Sequence, residues 1–310
     1  MIWLWILSGL IILGLIILYG VFFYAFRKNG SSVIEERSAP PGKVYAPYAD
    51  KILKGIDIVL SHKHEDVYIT SRDGLKLHGK YYHQADGAPL TIFMHGYRSG
   101  ALRDGNGAFI MSWRKGYNVL IVDQRAHGQS EGKVITFGIK ERFDCLEWIH
   151  YANRRFGEQI PIVLMGISMG ASTVMLAAGL DLPANVKCVL ADCGFSSPKE
   201  IIQSVIKSMH FPVKLAYPVV RLSGRIFAGI DIEEVSCVDA VRRSKVPILF
   251  IHGEGDNFVP CYMSRSCYEA CGAQKKLLLV KGADHGLSHC VDNKSYENAV
   301  EEFLGSYVMV

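Results

Sequence analysis

Two rhythms divide the chain. From Ile2 to Phe26 no position is charged and nearly all are apolar, with no polar stripe at any helical phase. From Asp66 onward, short apolar runs alternate with amphipathic stretches, the pattern of a mostly parallel sheet covered by helices. Strands are expected near 66–71, 75–82, 90–95, 118–123, 162–167, 187–192, 247–252 and 276–281. The first two meet at Asp73-Gly74 and read as an antiparallel edge hairpin. Helical periodicity falls near 103–115, 139–155, 168–179, 262–271 and 294–307, and no solenoid-type repeat is visible.

At about 1.5 Å per residue the first segment makes a helix on the order of 37 Å long, more than the roughly 30 Å of a bilayer's hydrocarbon layer. No Lys or Arg precedes it, as a cleaved signal peptide would require, so it reads as a retained transmembrane anchor standing apart from the globular core. Trp3, Trp5, Tyr19 and Tyr24 lie near its ends, at interfacial positions, and Arg27 and Lys28 follow directly. Positive charge on the C-terminal side alone places the rest of the chain in the cytoplasm. The expected organisation is an anchor over 1–28, a Gly-, Ser- and Pro-containing linker over 29–47, and a folded domain over 48–310.

Within that domain the interval 193–246 is too long for one crossover helix and is rich in Ile, Val, Phe and Tyr. It reads as an inserted helical cap at about 195–245, either a lid over an apolar pocket or helices packed on the domain edge.

Composition narrows the function. The chain has 310 residues, 49% hydrophobic and 21% charged, enough to bury a full core. Its net charge of +4 is scattered, which argues against nucleic acid as a partner. Cys145, Cys188, Cys193, Cys237, Cys261, Cys267, Cys271 and Cys290 contain no C-x-x-C pair, so neither a disulfide-stapled fold nor a Cys₄ zinc module is expected, and unpaired thiols suit a reducing compartment.

The chemistry concentrates at Gly166-Ile167-Ser168-Met169-Gly170, which follows an apolar strand and opens an Ala-rich helix. In that context the motif is a sharp turn that presents the Ser168 hydroxyl at the carboxyl edge of a sheet. A serine hydroxyl needs a base and an orienting acid. His285, in Gly282-Ala283-Asp284-His285-Gly286 after the last expected strand, is the base, with His289 its nearest rival. Asp256, after the preceding strand, is the leading acid; Asp192 and Asp284 are the alternatives. Two backbone amides should meet the oxyanion: Met169, after the nucleophile, and Tyr97, in the loop His95-Gly96-Tyr97-Arg98-Ser99-Gly100. His285, His289 and Cys290 could be mistaken for metal ligands, but a metal there would quench the base, and no metal is expected. Cys267 and Cys271, one helical turn apart, read as packing.

Taken together, His95-Gly96, the stretch Asp123-Gln124-Arg125-Ala126-His127-Gly128-Gln129-Ser130, Gly166 to Gly170, Asp256 with Val259-Pro260, and Asp284-His285-Gly286 resemble the α/β-hydrolase family. The similarity runs from about Asp66 to the C-terminus and is closest to membrane-anchored bacterial-type serine hydrolases. It implies an eight-stranded, mostly parallel sheet flanked by helices, a cap after the sixth strand, an acyl-enzyme mechanism and no cofactor. It carries the nucleophile to Ser168, the acid to Asp256, the base to His285 and the oxyanion donors to Tyr97 and Met169, and makes Asp123, Arg125 and His127 buried scaffold. The oxyanion loop departs from some lipase-like relatives in lacking their run of glycines, which argues against esters of bulky alcohols.

The expected activity is hydrolysis of a carboxylic ester, thioester or related acyl bond on a small-molecule or lipid-like substrate, at a membrane reached through the N-terminal helix. A serine peptidase or amidase, and a non-catalytic membrane-tethered binding protein on the same fold, are the rival expectations.

Overall fold

A computed structural model of the chain describes residues 1–28 and 37–308; of the expected linker, 29–36 lies outside the described residues. Helix α1 (Ile2–Ala25) comes first, and a short turn at Ala46–Tyr48 leads into α2 (Ala49–Leu60). Strands β1 (Glu65–Thr70), β2 (Lys76–Tyr82) and β3 (Leu90–Met94), helix α3 (Ala101–Arg114), β4 (Asn118–Val122) and α4 (Glu141–Phe156) follow. Next come β5 (Ile162–Ile167), α5 (Met169–Ala178), β6 (Val186–Asp192), α6 (Pro198–Ser208) and α7 (Val213–Ser223), the last continuing into a wider turn over Gly224–Ala228. The chain ends with α8 (Cys237–Arg243), β7 (Ile248–Gly253), α9 (Tyr262–Ala270), β8 (Lys275–Val280), α10 (Ser288–Val291) and α11 (Asn293–Tyr307).

The eight strands form one sheet in the order β1-β2-β4-β3-β5-β6-β7-β8. It is mixed: β2 runs antiparallel to both neighbours and every other pair is parallel. The edge hairpin turns at Gly74, whose φ of +87° is one that side-chain-bearing residues rarely adopt. Strands β3, β4, β6 and β7 are buried, or nearly so, along their whole length because helices cover both faces. Alternate side chains then feed two cores: Ile92, Leu120, Leu164 and Phe250 point to the layer of α4, α5, α8 and α9, whereas Phe93, Ile121, Met165 and Ile251 point to that of α2, α3 and α11.

Helix α2 was not anticipated from the pattern, although Ile52, Ile56 and Val59 form its buried stripe. The insertion after β6 divides in two. Helices α6 and α7 stand over Ser168, whereas α8 returns to the sheet-covering layer and sits on α5, where a Cβ on Gly179 would lie 2.7 Å from the Ala240 Cα.

The expectation that α1 stands apart from the core is corrected. Nearly all of its first sixteen residues are exposed, but Phe22 and Phe26 are buried in the domain. Phe26 meets Phe137 edge-on at 5.8 Å, Tyr19 meets Phe227 at 5.5 Å, and the Ser223 hydroxyl donates to the Leu18 carbonyl at 2.8 Å. A helix apolar on every face carries no mark of which face packs on the protein and which stays exposed.

Below the site, the loop after β4 is held by a buried ion pair. Arg125 donates to both carboxylate oxygens of Asp144, at 2.6 and 2.7 Å, and to Asp73 at 2.9 and 3.0 Å. Burial pushes the Asp144 carboxyl up to about 6 even with the guanidinium beside it, so its charge depends on that partner. Arg125→Met leaves this carboxylate unpaired and is expected to cost about 3–5 kcal/mol of unfolding free energy, read by urea denaturation of the detergent-solubilised chain. A loss below about 1 kcal/mol would show the pair to be dispensable.

Candidate active site

The turn from β5 into α5 is possible only with glycine on both sides. A Cβ on Gly166 would strike the Gly170 carbonyl, and one on Gly170 would strike the carbonyl of Met94 on β3. Ser168 itself has φ 55° and ψ −120°, a strained conformation held by its N–H donating to the Asp192 carbonyl at 2.8 Å. The hydroxyl is thereby presented at the carboxyl edge of the sheet, at the N-terminus of a fully buried helix.

Two later loops bring the partners. His285 follows β8, and its Nε2 lies 2.9 Å from the Ser168 Oγ. Its Nδ1 lies 2.7 Å from Oδ2 of Asp256, in the loop after β7. An ionised Asp256 can only accept, so Nδ1 carries the proton and the lone pair of Nε2 faces the hydroxyl. The other oxygen of Asp256 accepts the Phe258 and Val259 amides at 2.9 and 2.8 Å. His252, fully buried on β7, lies 3.2 Å from Oδ2; sequence reasoning assigned it nothing, and its position at the end of a strand next to the acid's loop was the available signal.

The rival residues lie elsewhere. The Asp192 carboxylate accepts the Tyr296 hydroxyl at 3.0 Å, and burial pushes it up to about 6. Asp284 accepts its own neighbour's amide, His285 N–H, at 2.7 Å and that of Asn257 at 3.1 Å, joining the two loops. The His289 ring accepts from Asn293 at 2.7 Å. Among the described residues, the group with ligand-like spacing is instead Cys193, Asp256 and His285. Burial and the neighbouring Asp192 and Asp256 push the Cys193 thiol well up, which disfavours the thiolate a metal would need. All eight cysteines are unbridged.

The amides of Tyr97 and Met169 find no acceptor among the described residues, as expected of donors at a helix N-terminus and in an open loop. The loop carrying Tyr97 is set from beneath. His127 Nδ1–H donates to the Arg125 carbonyl at 2.9 Å, and its Nε2 accepts the Arg98 amide at 3.0 Å. Burial, with His95 nearby, pushes the His127 imidazole down to about 3, so the ring stays neutral and keeps that acceptor. Asp123 accepts from His78 at 2.7 Å and from the Gln129 amide at 3.0 Å. Above Ser168 opens a cavity of about 620 Å³, whose lining is apolar apart from Arg98, Ser168 and the Tyr24 and Tyr97 hydroxyls.

The comparisons with known proteins agree with this architecture. Residues 89–234 match the family model described as serine aminopeptidase, S33, and residues 228–306 match the one described as TAP-like protein. YqkD of Bacillus subtilis (strain 168) is 29% identical over 190 residues, 61% of this chain and 62% of its own length. The chain thus spans under two thirds of that relative. Among solved structures, the Pyrococcus furiosus esterase Pf2001 is 24% identical with a TM-score of 0.65, over 88% of this chain and 99% of that one. Est1E from Butyrivibrio proteoclasticus, solved with ferulic acid, is 22% identical with a TM-score of 0.62, over 78% and 99%.

Asp256 yields a test. Burial pushes its carboxyl up, but hydrogen bonds from His252 and His285 outweigh burial and leave it at about 2, below its ordinary 3.8. A depressed carboxyl stabilises the fold at pH above about 4, here by about 2 kcal/mol, and loses that contribution as pH falls through 2. The difference in unfolding free energy between wild type and Asp256→Asn should therefore shrink by about that amount between pH 5 and pH 2, in urea titrations at each pH. A difference constant across the window would show that Asp256 is not held ionised by the two rings.

Proposed function

This chain belongs to the α/β-hydrolase family, and we propose that it is a membrane-held serine hydrolase that cleaves a carboxylic ester, thioester or related acyl bond. The observation that carries the reading is the continuous relay from the Asp256 carboxylate through both nitrogens of His285 to the Ser168 hydroxyl. Ser168 Oγ attacks the acyl carbon and its proton passes to Nε2 of His285. The carbonyl's electron pair moves to the oxygen, which lies against the Tyr97 and Met169 amides. The pair then returns, the bond to the leaving group breaks, and Nε2 gives its proton to the departing oxygen or sulfur. A water, deprotonated by the same nitrogen, adds to the acyl-enzyme and releases the acid and free Ser168.

Ester rather than peptide is favoured by the cavity. A site that binds a peptide's amino terminus wants a carboxylate, and the only charged residue lining this cavity among those described is Arg98. As for the setting, α1 has the length and a mean hydropathy of 2.7 to span a bilayer once. The burial of Phe22 and Phe26 in the domain argues that the helix is kept rather than cleaved. Arg27 and Lys28, flanking the helix on its C-terminal side, support a cytoplasmic placement of the domain by the positive-inside rule.

The test uses the full chain in lipid nanodiscs. Ser168→Ala should lower kcat toward p-nitrophenyl acetate by about 10⁴-fold or more and abolish labelling by a fluorophosphonate. Wild-type turnover by that variant would overturn the proposal.

A further inference from the structure

The cavity over Ser168 has an unusual wall. Ile17, Gly20, Val21 and Tyr24 line it from α1, spaced i, i+3, i+4 and i+7, so that one face of the membrane helix forms a side of the site. Ser168 and Met169 lie at the cavity as well, and Val219 and Val220 of α7 close it. A Cβ added to Gly20, which lines the cavity, would meet nothing within 4 Å, so there is room for a side chain at that point of the wall. At about 620 Å³ it falls inside the range of about 300–1,000 Å³ typical of small-molecule sites.

The same helix decides where the cavity sits. Its first sixteen residues are almost all exposed, and from Ile17 to Ala25 is about 12 Å at 1.5 Å per residue, so the wall occupies the last turns before the span ends. The cap at this level is apolar on its outside too. Leu215, Leu222 and Ile226 are 73%, 46% and 50% exposed, on or beside the helix that packs along α1 through the Ser223 bond to Leu18. An exposed apolar patch continuous with a membrane span is a surface for the lipid interface.

The wall is also tied to the chemistry. The Tyr97 hydroxyl donates to the Ala25 carbonyl at 2.9 Å, and Arg98 Nη2 donates to the carbonyls of Tyr24 and Arg27 at 2.7 and 2.9 Å. The carbonyls that a helix end leaves unpaired are thus taken up by the loop that carries the Tyr97 amide. The membrane helix and the reacting serine are held at one spacing.

We propose that the substrate is a bilayer-resident lipid carrying a long acyl chain, and that the chain lies between α1 and α7 with its carbonyl at Ser168. The membrane helix is then half of the acyl site as well as the tether. The inference rests on the serine-hydrolase reading above and adds to it the class and the source of the substrate. Entry is lateral: the chain leaves the surrounding lipid beside α1 without crossing water, so its burial is not repeated and the exposed cap face is already in the interface.

The test reconstitutes the full chain in nanodiscs and measures labelling rates of Ser168 by ethyl and dodecyl fluorophosphonates. Wild type should react at least about tenfold faster with the dodecyl probe, since several methylenes are held in the cavity. Gly20→Phe narrows the cavity and should lower the ratio of dodecyl to ethyl labelling rates by at least about tenfold. Val219→Phe, from the opposite wall, should repeat that selectivity, and Leu10→Phe, on the exposed part of α1, should change neither rate. The dodecyl rate should follow the mole fraction of probe in the lipid rather than its bulk concentration.

Equal wild-type rates for both probes, or wall variants that change both alike or neither, would overturn the acyl site. A rate set by bulk concentration would overturn the bilayer source. Silence of the wild type toward both probes would instead overturn the nucleophile assignment on which the inference stands.

Discussion

The close approach of α5 to β3 is the constraint from which the site follows. The turn after β5 brings the backbone of Gly170 against the Met94 carbonyl, at a distance no side chain can share. That contact is reached only through the strained conformation of Ser168 between two glycines, and the strain is what lifts the hydroxyl clear of the sheet. Ten fully buried residues of α5 hold the turn in place. The loops after β7 and β8 then have only to reach the same edge, and Asp284 joins them to each other through Asn257.

Around that turn the polar groups divide into two systems with different electrostatics. Asp256 is buried yet ionised because two imidazoles and two backbone amides face it. Beneath the loop that carries Tyr97 the logic is reversed: His127 is buried so thoroughly that it stays neutral, and it serves as an acceptor for the Arg98 amide. The Arg125 pair with Asp144 anchors the loop that carries His127. A charge, a neutral ring and a backbone amide thus form one chain of support running from the helix layer to the loop beside Ser168.

That chain of support does not stop at the edge of the hydrolase domain. Arg98 has its backbone tied to His127 below and its guanidinium tied to the end of α1 above, and Tyr97 stacks on Phe137 at 5.3 Å while bonding to Ala25. Phe137 in turn receives the ring of Phe26. The last turns of the apolar helix therefore bury one face, through Phe22 and Phe26, while Phe23 and the earlier turns offer their side chains outward. One uniform stretch of hydrophobic sequence thus has a part packed in the protein interior and a part that stays exposed.

What the sequence determined by itself is what is encoded locally. Alternation of apolar runs located all eight strands, Asp73-Gly74 located the hairpin, and glycine at two positions around Ser168 marked the turn, because in each case neighbouring residues impose the conformation. Candidates at strand ends could be named for the same reason, and Asp256, Asp192 and Asp284 all satisfied that local criterion. Which of them faces Nδ1 of His285 is a tertiary fact, since that contact is made across loops far apart in sequence. Helix α2 escaped notice because its stripe is short, and the inserted segment could not be divided until α8 was seen on α5. Which face of α1 enters the domain was beyond any sequence pattern: a helix hydrophobic all round has no periodic signal to distinguish its faces, and the burial of Phe22 and Phe26 exists only after the chain has folded.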